Sequence, residues 1–167
     1  TFCILVLLTS NFSIFAESTY ILPYPSSMPG NITYKIHLLW EKVMSYWYFG
    51  SFGQFEYNLK ESDKYLVESK TLFEYNQYLL GVNALEKSNN YFQKTLPELN
   101  DALKNGKVIT DKKTLLQEAA KKHIEVLQYM ENNSPKEYYW SPEKSPSSLL
   151  KIKDLIDKSI RQREEYL

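Results

Sequence analysis

The stretch that decides the fold is residues 54–73, QFEYNLKESDKYLVESKTLF. Apolar and small residues recur in it at intervals of four and three, which predicts a helix with one inward stripe. Because small serines alternate with large side chains along that stripe, a neighbouring helix can approach closely. A second periodic stretch follows over 78–104, so the two predict an antiparallel helical hairpin. The stripe of the first stretch is Phe55, Leu59, Ser62, Leu66, Ser69 and Phe73.

Three further helical patterns flank this hairpin. Asn31 is suited to cap a first helix that runs to Tyr48, and a fourth helix starts at Thr110 or Asp111. Ser145-Pro146 has the cap-then-proline order that opens a fifth helix. The sequence therefore predicts an all-α antiparallel bundle of about five helices built from helical hairpins. The expected divisions are an extended lead-in over 17–31, the bundle over 32–133, a linker over 134–145 and a C-terminal helix over 146–167 that packs on the bundle.

The first predicted helix carries the densest aromatic content. Its apolar face is expected to pack against the second helix, with Trp40 buried between them. Four consecutive aromatic residues at 46–49 cannot all face one core, so some are expected to be exposed or covered by a partner. The candidate interaction surface is Trp40, Tyr46, Trp47, Tyr48 and Phe49; the predicted packing face is Ile36, Leu39, Trp40, Val43 and Trp47.

The first sixteen residues differ from the rest because they contain no charge. This pattern is typical of the hydrophobic region of a secretory signal, with Ile14 and Ala16 at the −3 and −1 positions of a cleavage site. An uncleaved N-terminal membrane anchor is the alternative. Either one preceding the bundle predicts a secreted, periplasmic or cell-surface location. Cys3 is the only cysteine and lies in this segment, so disulfides and thiolate metal sites are not expected in the remainder.

Composition excludes several classes of function. Twenty basic and twenty acidic residues balance to zero net charge, which lacks the electrostatic footprint of a nucleic-acid binder. Five glycines form no phosphate-binding loop, and no catalytic signature is present. We therefore expect no cofactor and no metal.

Two weak polar candidates remain on the first helix. His37 and Glu41 are four residues apart and share a face, which is the spacing of two metal ligands. Without a second ligand pair, a stabilising His–Glu contact is the favoured interpretation. Glu41 among aromatic residues is also compatible with a glycosidase acid, although that chemistry needs a second carboxylate.

Pro29-Gly30, Tyr34, Trp40-Glu41-Lys42-Val43 and the helix 59–70 together resemble an uncharacterised family of bacterial extracytoplasmic helical domains. Members of that family, a domain of unknown function, place a signal peptide or anchor before a Pro-Gly, a Tyr, a Lys and a Glu, followed by a helical hairpin. In this chain His37 occupies the Lys position. The resemblance covers about residues 20–92 and implies export and a hairpin, without implying a catalytic residue.

These observations predict an exported, non-enzymatic interaction module that binds a protein or a cell-envelope component. The C-terminal helix is expected to dock on the bundle or to pair with its counterpart in a second chain, which would make a homodimer. Membrane contact is expected only through an uncleaved N-terminal segment. The alternatives are a small cell-wall-active hydrolase that uses Glu41 and an extracytoplasmic sensor domain of a membrane-anchored protein.

Overall fold

The computed structural model describes residues 18–25, 32–143 and 146–167, and within these ranges it confirms the predicted all-α fold. The signal-like segment at 1–16 lies outside them. No helix in the described ranges combines the length and apolar content needed to cross a bilayer. The elements are α1 (Ile32–Trp47), α2 (Gly50–Glu74), α3 (Tyr78–Lys104), α4 (Thr110–Asn133), β1 (Tyr138–Trp140), β2 (Ser148–Leu150) and α5 (Ile152–Glu164).

The α2–α3 hairpin packs as closely as its small residues predict. Ser62 and Ser88 each donate a hydroxyl hydrogen bond to the other's backbone carbonyl, at 3.0 and 2.8 Å. Ser69 Oγ donates to the carbonyl of Gly81 at 2.8 Å. A Cβ at Gly81 would lie 2.7 Å from the Phe73 ring, so the crossing requires glycine there.

Helices α4 and α5 cover one side of this hairpin and form the core with it. Ile152 and Ile156 of α5 are buried against Leu127 and Met130 of α4. Pro97 lies inside α3, and the helix continues through it to Lys104 without restarting. A second buried cluster holds Phe55, Leu59, Phe92, Leu99, Leu116, Ala119 and Ala120.

The region predicted as a linker contains structure. Strands β1 and β2 pair antiparallel, with Tyr139 opposite Leu149, and the fifth helix begins at Ile152 instead of at Ser145-Pro146. The aromatic strand has a partner in the bundle, since the Tyr138 ring lies 4.8 Å from that of Tyr78. Strand pairing and this ring contact therefore delay the start of α5.

Helix α1 contradicts the sequence-based packing prediction. Its apolar face points away from the bundle, and Trp40 has 61% of its surface exposed. A sharp turn at Gly50, whose φ is +72°, joins α1 to α2. Gly53 permits the backbone of Tyr48 to approach closely, because a Cβ there would meet the Tyr48 carbonyl carbon at 3.0 Å. The orientation of α1 is determined by Glu41 on its inner side, whose contacts are described below.

Candidate functional site

In the described part of the chain, the outer face of α1 carries a row of large, exposed apolar side chains. Trp40 and Trp47 are 61% and 73% exposed, and Phe49, just beyond the helix, is 82% exposed. Tyr48 is the exception among the predicted interaction residues: it is half-buried, and its ring lies 5.5 Å from that of Tyr57. The outer face comprises Ile36, Leu39, Trp40, Val43, Tyr46 and Trp47.

The inner side of α1 is anchored by Glu41. Its Oε2 accepts a hydrogen bond from the Tyr65 hydroxyl at 2.8 Å, and its Oε1 pairs with Lys64. The Tyr57 hydroxyl donates to the Glu41 backbone carbonyl at 3.2 Å. Lys64 Nζ also lies 3.8 Å from Glu61. We call Glu41, Tyr57, Glu61, Lys64 and Tyr65 the Glu41 cluster. Because a half-buried carboxylate needs such partners, the cluster turns the apolar face of α1 outward.

Burial also changes the acid–base properties of this cluster. It raises the pKa of Glu61 from 4.5 to about 6, an effect that nearby Lys60 only partly opposes. Burial lowers the pKa of Lys64; Glu68 works against this shift, and Lys87 adds to it. The cluster therefore places two carboxylates around Lys64, and one of them, Glu61, has a raised pKa.

Stacked tyrosine rings support the same region. The rings of Tyr65 and Tyr91 lie parallel, with centroids 5.8 Å apart. Lys64 and Lys87 each place an ammonium about 5 Å from the Tyr65 ring centroid, at 5.0 and 4.9 Å. These cation–π contacts hold both lysines beside the Tyr65 ring, and Lys64 also contacts the acids of the cluster.

The predicted pair of His37 and Glu41 is only half described. Position 37 lies on α1, but its side chain is outside what the structure describes. Glu41 is held by Lys64 and Tyr65, as given above. Among the described residues, no group of three His, Cys, Asp or Glu side chains could hold a metal ion.

A second polar site, which the sequence reasoning missed, lies in the centre of the bundle. His123 is fully buried, and its Nε2 lies 2.7 Å from Asp63 Oδ1. Arg163, also fully buried, donates from Nε to His123 Nδ1 at 3.4 Å. Since an arginine Nε can only donate, Nδ1 must accept, so the imidazole is neutral with its proton on Nε2. Burial lowers the pKa of His123 in agreement, although Asp63 opposes the shift.

The guanidinium of Arg163 is satisfied by acceptors on three helices, α3, α4 and its own helix α5. Its Nη2 donates to Ser88 Oγ at 3.0 Å, and its Nη1 donates to Asn89 Oδ1 and to the Ser159 carbonyl. The group stacks 4.8 Å from the Phe92 centroid. Burial lowers the pKa of Arg163 to about 9, so it is charged at neutral pH.

The extended lead-in completes this buried network. The Tyr20 hydroxyl donates to Asp63 Oδ2 at 2.6 Å, and Ser18 Oγ donates to the Glu118 carbonyl at 2.9 Å. Both carboxylate oxygens of Asp63 and both nitrogens of His123 are therefore engaged. With no free position on the imidazole and no solvent contact, the network is suited to joining elements and not to proton transfer.

Two signals of this network were present in the sequence, because His123 lies in the apolar stripe of α4 with Leu116, Leu127 and Met130, and α5 carries a second one. Ser159 and Arg163 continue the four–three spacing of Ile152 and Ile156, so they occupy the buried stripe of α5. A polar residue in phase with a core stripe indicates a buried partner. The identity of that partner depends on how four separate segments meet in the folded bundle. No local sequence pattern encodes this meeting.

No family model, no curated protein and no solved structure matches this chain.

Proposed function

We propose that this chain is an exported, non-enzymatic helical interaction module, which binds a protein or a cell-envelope component through the outer face of α1. The observation that carries the proposal is the exposure of six large apolar side chains on one side of one helix. The three rings of this face and the adjacent ring of Phe49, each of 150–250 Å² and between 61% and 82% exposed, present on the order of 500 Å² of apolar surface. Ordinary monomers rarely expose a contiguous apolar patch of larger area than this. Apolar patches above that area mark interaction sites.

The orientation of α1 supports this function. Glu41, Lys64 and Tyr65 hold the helix by its polar side, so the apolar side is presented by specific contacts. His123 and Asp63, in the centre of the bundle, are engaged with each other and with Arg163 and Tyr20, so they do not contact a ligand. The apolar face of α1, in contrast, is accessible.

Partner recovery from a cell-envelope fraction tests the proposal. We expect the wild-type chain to retain a partner that Trp47→Ala loses, because Trp47 is 73% exposed on the outer face. Tyr139→Ala is the matched control, since Tyr139 is a 70% exposed aromatic residue on β1. Equal recovery by all three chains would contradict the role of α1. Fractionation of cells expressing the full chain tests export separately.

A second candidate function follows from the paired carboxylates of the Glu41 cluster. A glycosidase needs one acid of raised pKa beside one ionised carboxylate. Glu61, with a pKa of about 6, and the Lys64-paired Glu41 have these two properties. Incubation with peptidoglycan and chitin fragments tests this candidate. Turnover lost in both Glu41→Gln and Glu61→Gln would establish it, and no turnover by the wild-type chain would remove it.

A further inference from the structure

We infer that the outer face of α1 is a dimer interface, in which two copies of this chain pack their α1 helices antiparallel. This inference rests on the proposed function and specifies its partner. The first reason is spacing: the central exposed residues recur at intervals of four, three and four, the pattern by which helices pack along a common seam. These residues are Ile36, Trp40, Val43 and Trp47.

The second reason is the pairing of sizes along this seam. When two α1 helices lie antiparallel with the midpoints of 36–47 together, Trp40 of each copy faces Val43 of the other. In the same arrangement Trp47 faces Ile36. Every tryptophan thus meets a smaller aliphatic side chain, the alternation that fills an interface without voids. A parallel pair would instead place Trp40 against Trp40, so the sequence favours the antiparallel two-fold.

The third reason is area. The three rings of the face supply on the order of 500 Å² together with the adjacent ring of Phe49. Three exposed aliphatic residues, Ile36, Leu39 and Val43, add to this area. A stable interface needs roughly 800 Å² from each partner. The face is therefore large enough to be most of a dimer interface.

The fourth reason is charge. The six residues of the outer face carry none, and the whole chain has zero net charge, so two copies do not repel each other. A helix that lies on an anionic bilayer is rich in lysine and arginine, whereas α1 contains two lysines and no arginine. A second copy accordingly fits the face better than a lipid surface.

Sedimentation velocity of the full chain, from about 1 µM to about 1 mM, tests the inference. We expect the mass to rise from 19.7 kDa toward twice that value with concentration. Val43→Lys places an unpaired charge in the seam and should raise the dissociation constant at least about tenfold. Val108→Lys is the matched control, because Val108 is 83% exposed in the α3–α4 loop, and should leave dimerisation unchanged.

A mixing experiment tests the antiparallel register. Trp40→Glu and Val43→Lys chains should each be monomeric at concentrations where the wild-type chain dimerises. Mixed together they should form heterodimers, since position 40 of one copy then faces position 43 of the other and the new charges pair. Absence of heterodimers would overturn the register. Circular dichroism of each variant checks that the bundle is folded.

Three other outcomes would overturn the dimer itself. A wild-type chain that stays monomeric throughout would do so, as would a dimer that Val43→Lys leaves intact. A monomer that sediments with vesicles of phosphatidylcholine and phosphatidylglycerol, and loses this binding with Val43→Lys, would assign the face to lipid. If the chain is monomeric while Trp47→Ala still loses a captured partner, the dimer is wrong and the proposed function stands.

Discussion

Helices α1 and α5 have the same spacing of their main stripe, and the structure treats the two stripes in opposite ways. The α1 stripe is entirely apolar and exposed, whereas the α5 stripe ends in a serine and an arginine and is buried. The helix with the more apolar stripe is thus the one that leaves it uncovered. The two stripes are Ile36, Trp40, Val43 and Trp47, and Ile152, Ile156, Ser159 and Arg163.

Polar contacts account for this difference. Arg163 finds acceptors on α3, α4 and α5 in the bundle centre, so its stripe is drawn inward together with Ile152 and Ile156. In α1, Glu41 has partners in the bundle and lies on the side opposite the stripe. A half-buried carboxylate that meets a lysine and a tyrosine therefore decides which face of α1 points inward. Apolar periodicity predicts a helix, and the placement of its charged residue decides how the helix docks.

The largest expected effect comes from removing the anchor of α5. Arg163→Met removes the positive charge that acts on Asp63 across His123, and it leaves Asn89 and Ser88 without their donor. We expect a loss of about 3–5 kcal/mol in the free energy of unfolding. Arg161→Met is the control, because Arg161 is exposed on the same helix and should change stability by less than about 0.5 kcal/mol. Urea unfolding followed by circular dichroism measures both; equal losses would mean that the network does not anchor α5.

A matched pair of isoleucines tests the comparison most directly. Ile156 is 1% exposed in α5 and Ile36 is 65% exposed in α1. We expect Ile156→Ala to cost about 2–5 kcal/mol through the cavity it leaves. Ile36→Ala should cost less than about 0.5 kcal/mol when urea unfolding is followed in dilute, monomeric protein. A large cost at Ile36 under those conditions would show that the α1 stripe is covered within one chain.

The helices themselves could be predicted from the sequence because their period is local. The alternation of small and large residues in α2 also predicted the close hairpin, and Ser62 and Ser69 occupy its crossing. The short β1–β2 pair was missed, since three-residue strands have too little alternation to stand out from a polar, proline-rich segment.

The failure at α1 has a physical cause. An apolar stripe predicts burial only if no stronger constraint fixes the opposite face, and Glu41 supplies such a constraint through residues 16 to 24 positions away. The buried network is less accessible still to sequence reasoning: Tyr20, Asp63, His123 and Arg163 come from four separate segments. Their meeting depends on the packed bundle; His123 and Arg163 are each in phase with the core stripe of their own helix, but neither stripe indicates the partner.

A smaller effect is expected from weakening the anchor of α1. Glu41→Gln removes the charge that pairs with Lys64 and should cost about 1–2 kcal/mol, because hydrogen bonds to charged groups contribute more than neutral ones. Glu74→Gln is the matched control: Glu74 also contacts a lysine and a tyrosine, Lys70 and Tyr129, but its side chain is 40% exposed. Exposed pairs contribute less than about 1 kcal/mol. Equal losses in urea unfolding would contradict the role of Glu41 in orienting α1.

The smallest expected effect is on the pH dependence of the free energy of unfolding. The Glu41 cluster beside α1 and the buried network beside α5 contribute to it with opposite signs. In the Glu41 cluster the pKa of Glu61 is raised to about 6 by burial. Between pH 4.5 and 6 the folded chain keeps a proton on Glu61 that the unfolded chain has released, so stability falls as pH rises. In the network beside α5 the pKa of His123 is lowered from 6.5, so this group makes stability rise with pH up to that value.

The Glu61→Gln variant separates these opposing contributions. It removes the titration beside α1 and leaves that of His123, so its stability relative to the wild-type chain should grow from pH 4.5 to about 6 and then stay constant. Urea unfolding of both chains at matched pH values measures this difference, and the common contribution of His123 cancels. A difference that is independent of pH would show that Glu61 has the same pKa in the folded and unfolded chains. It would also show that Glu61 is more hydrated beneath α1 than its 5% exposure indicates.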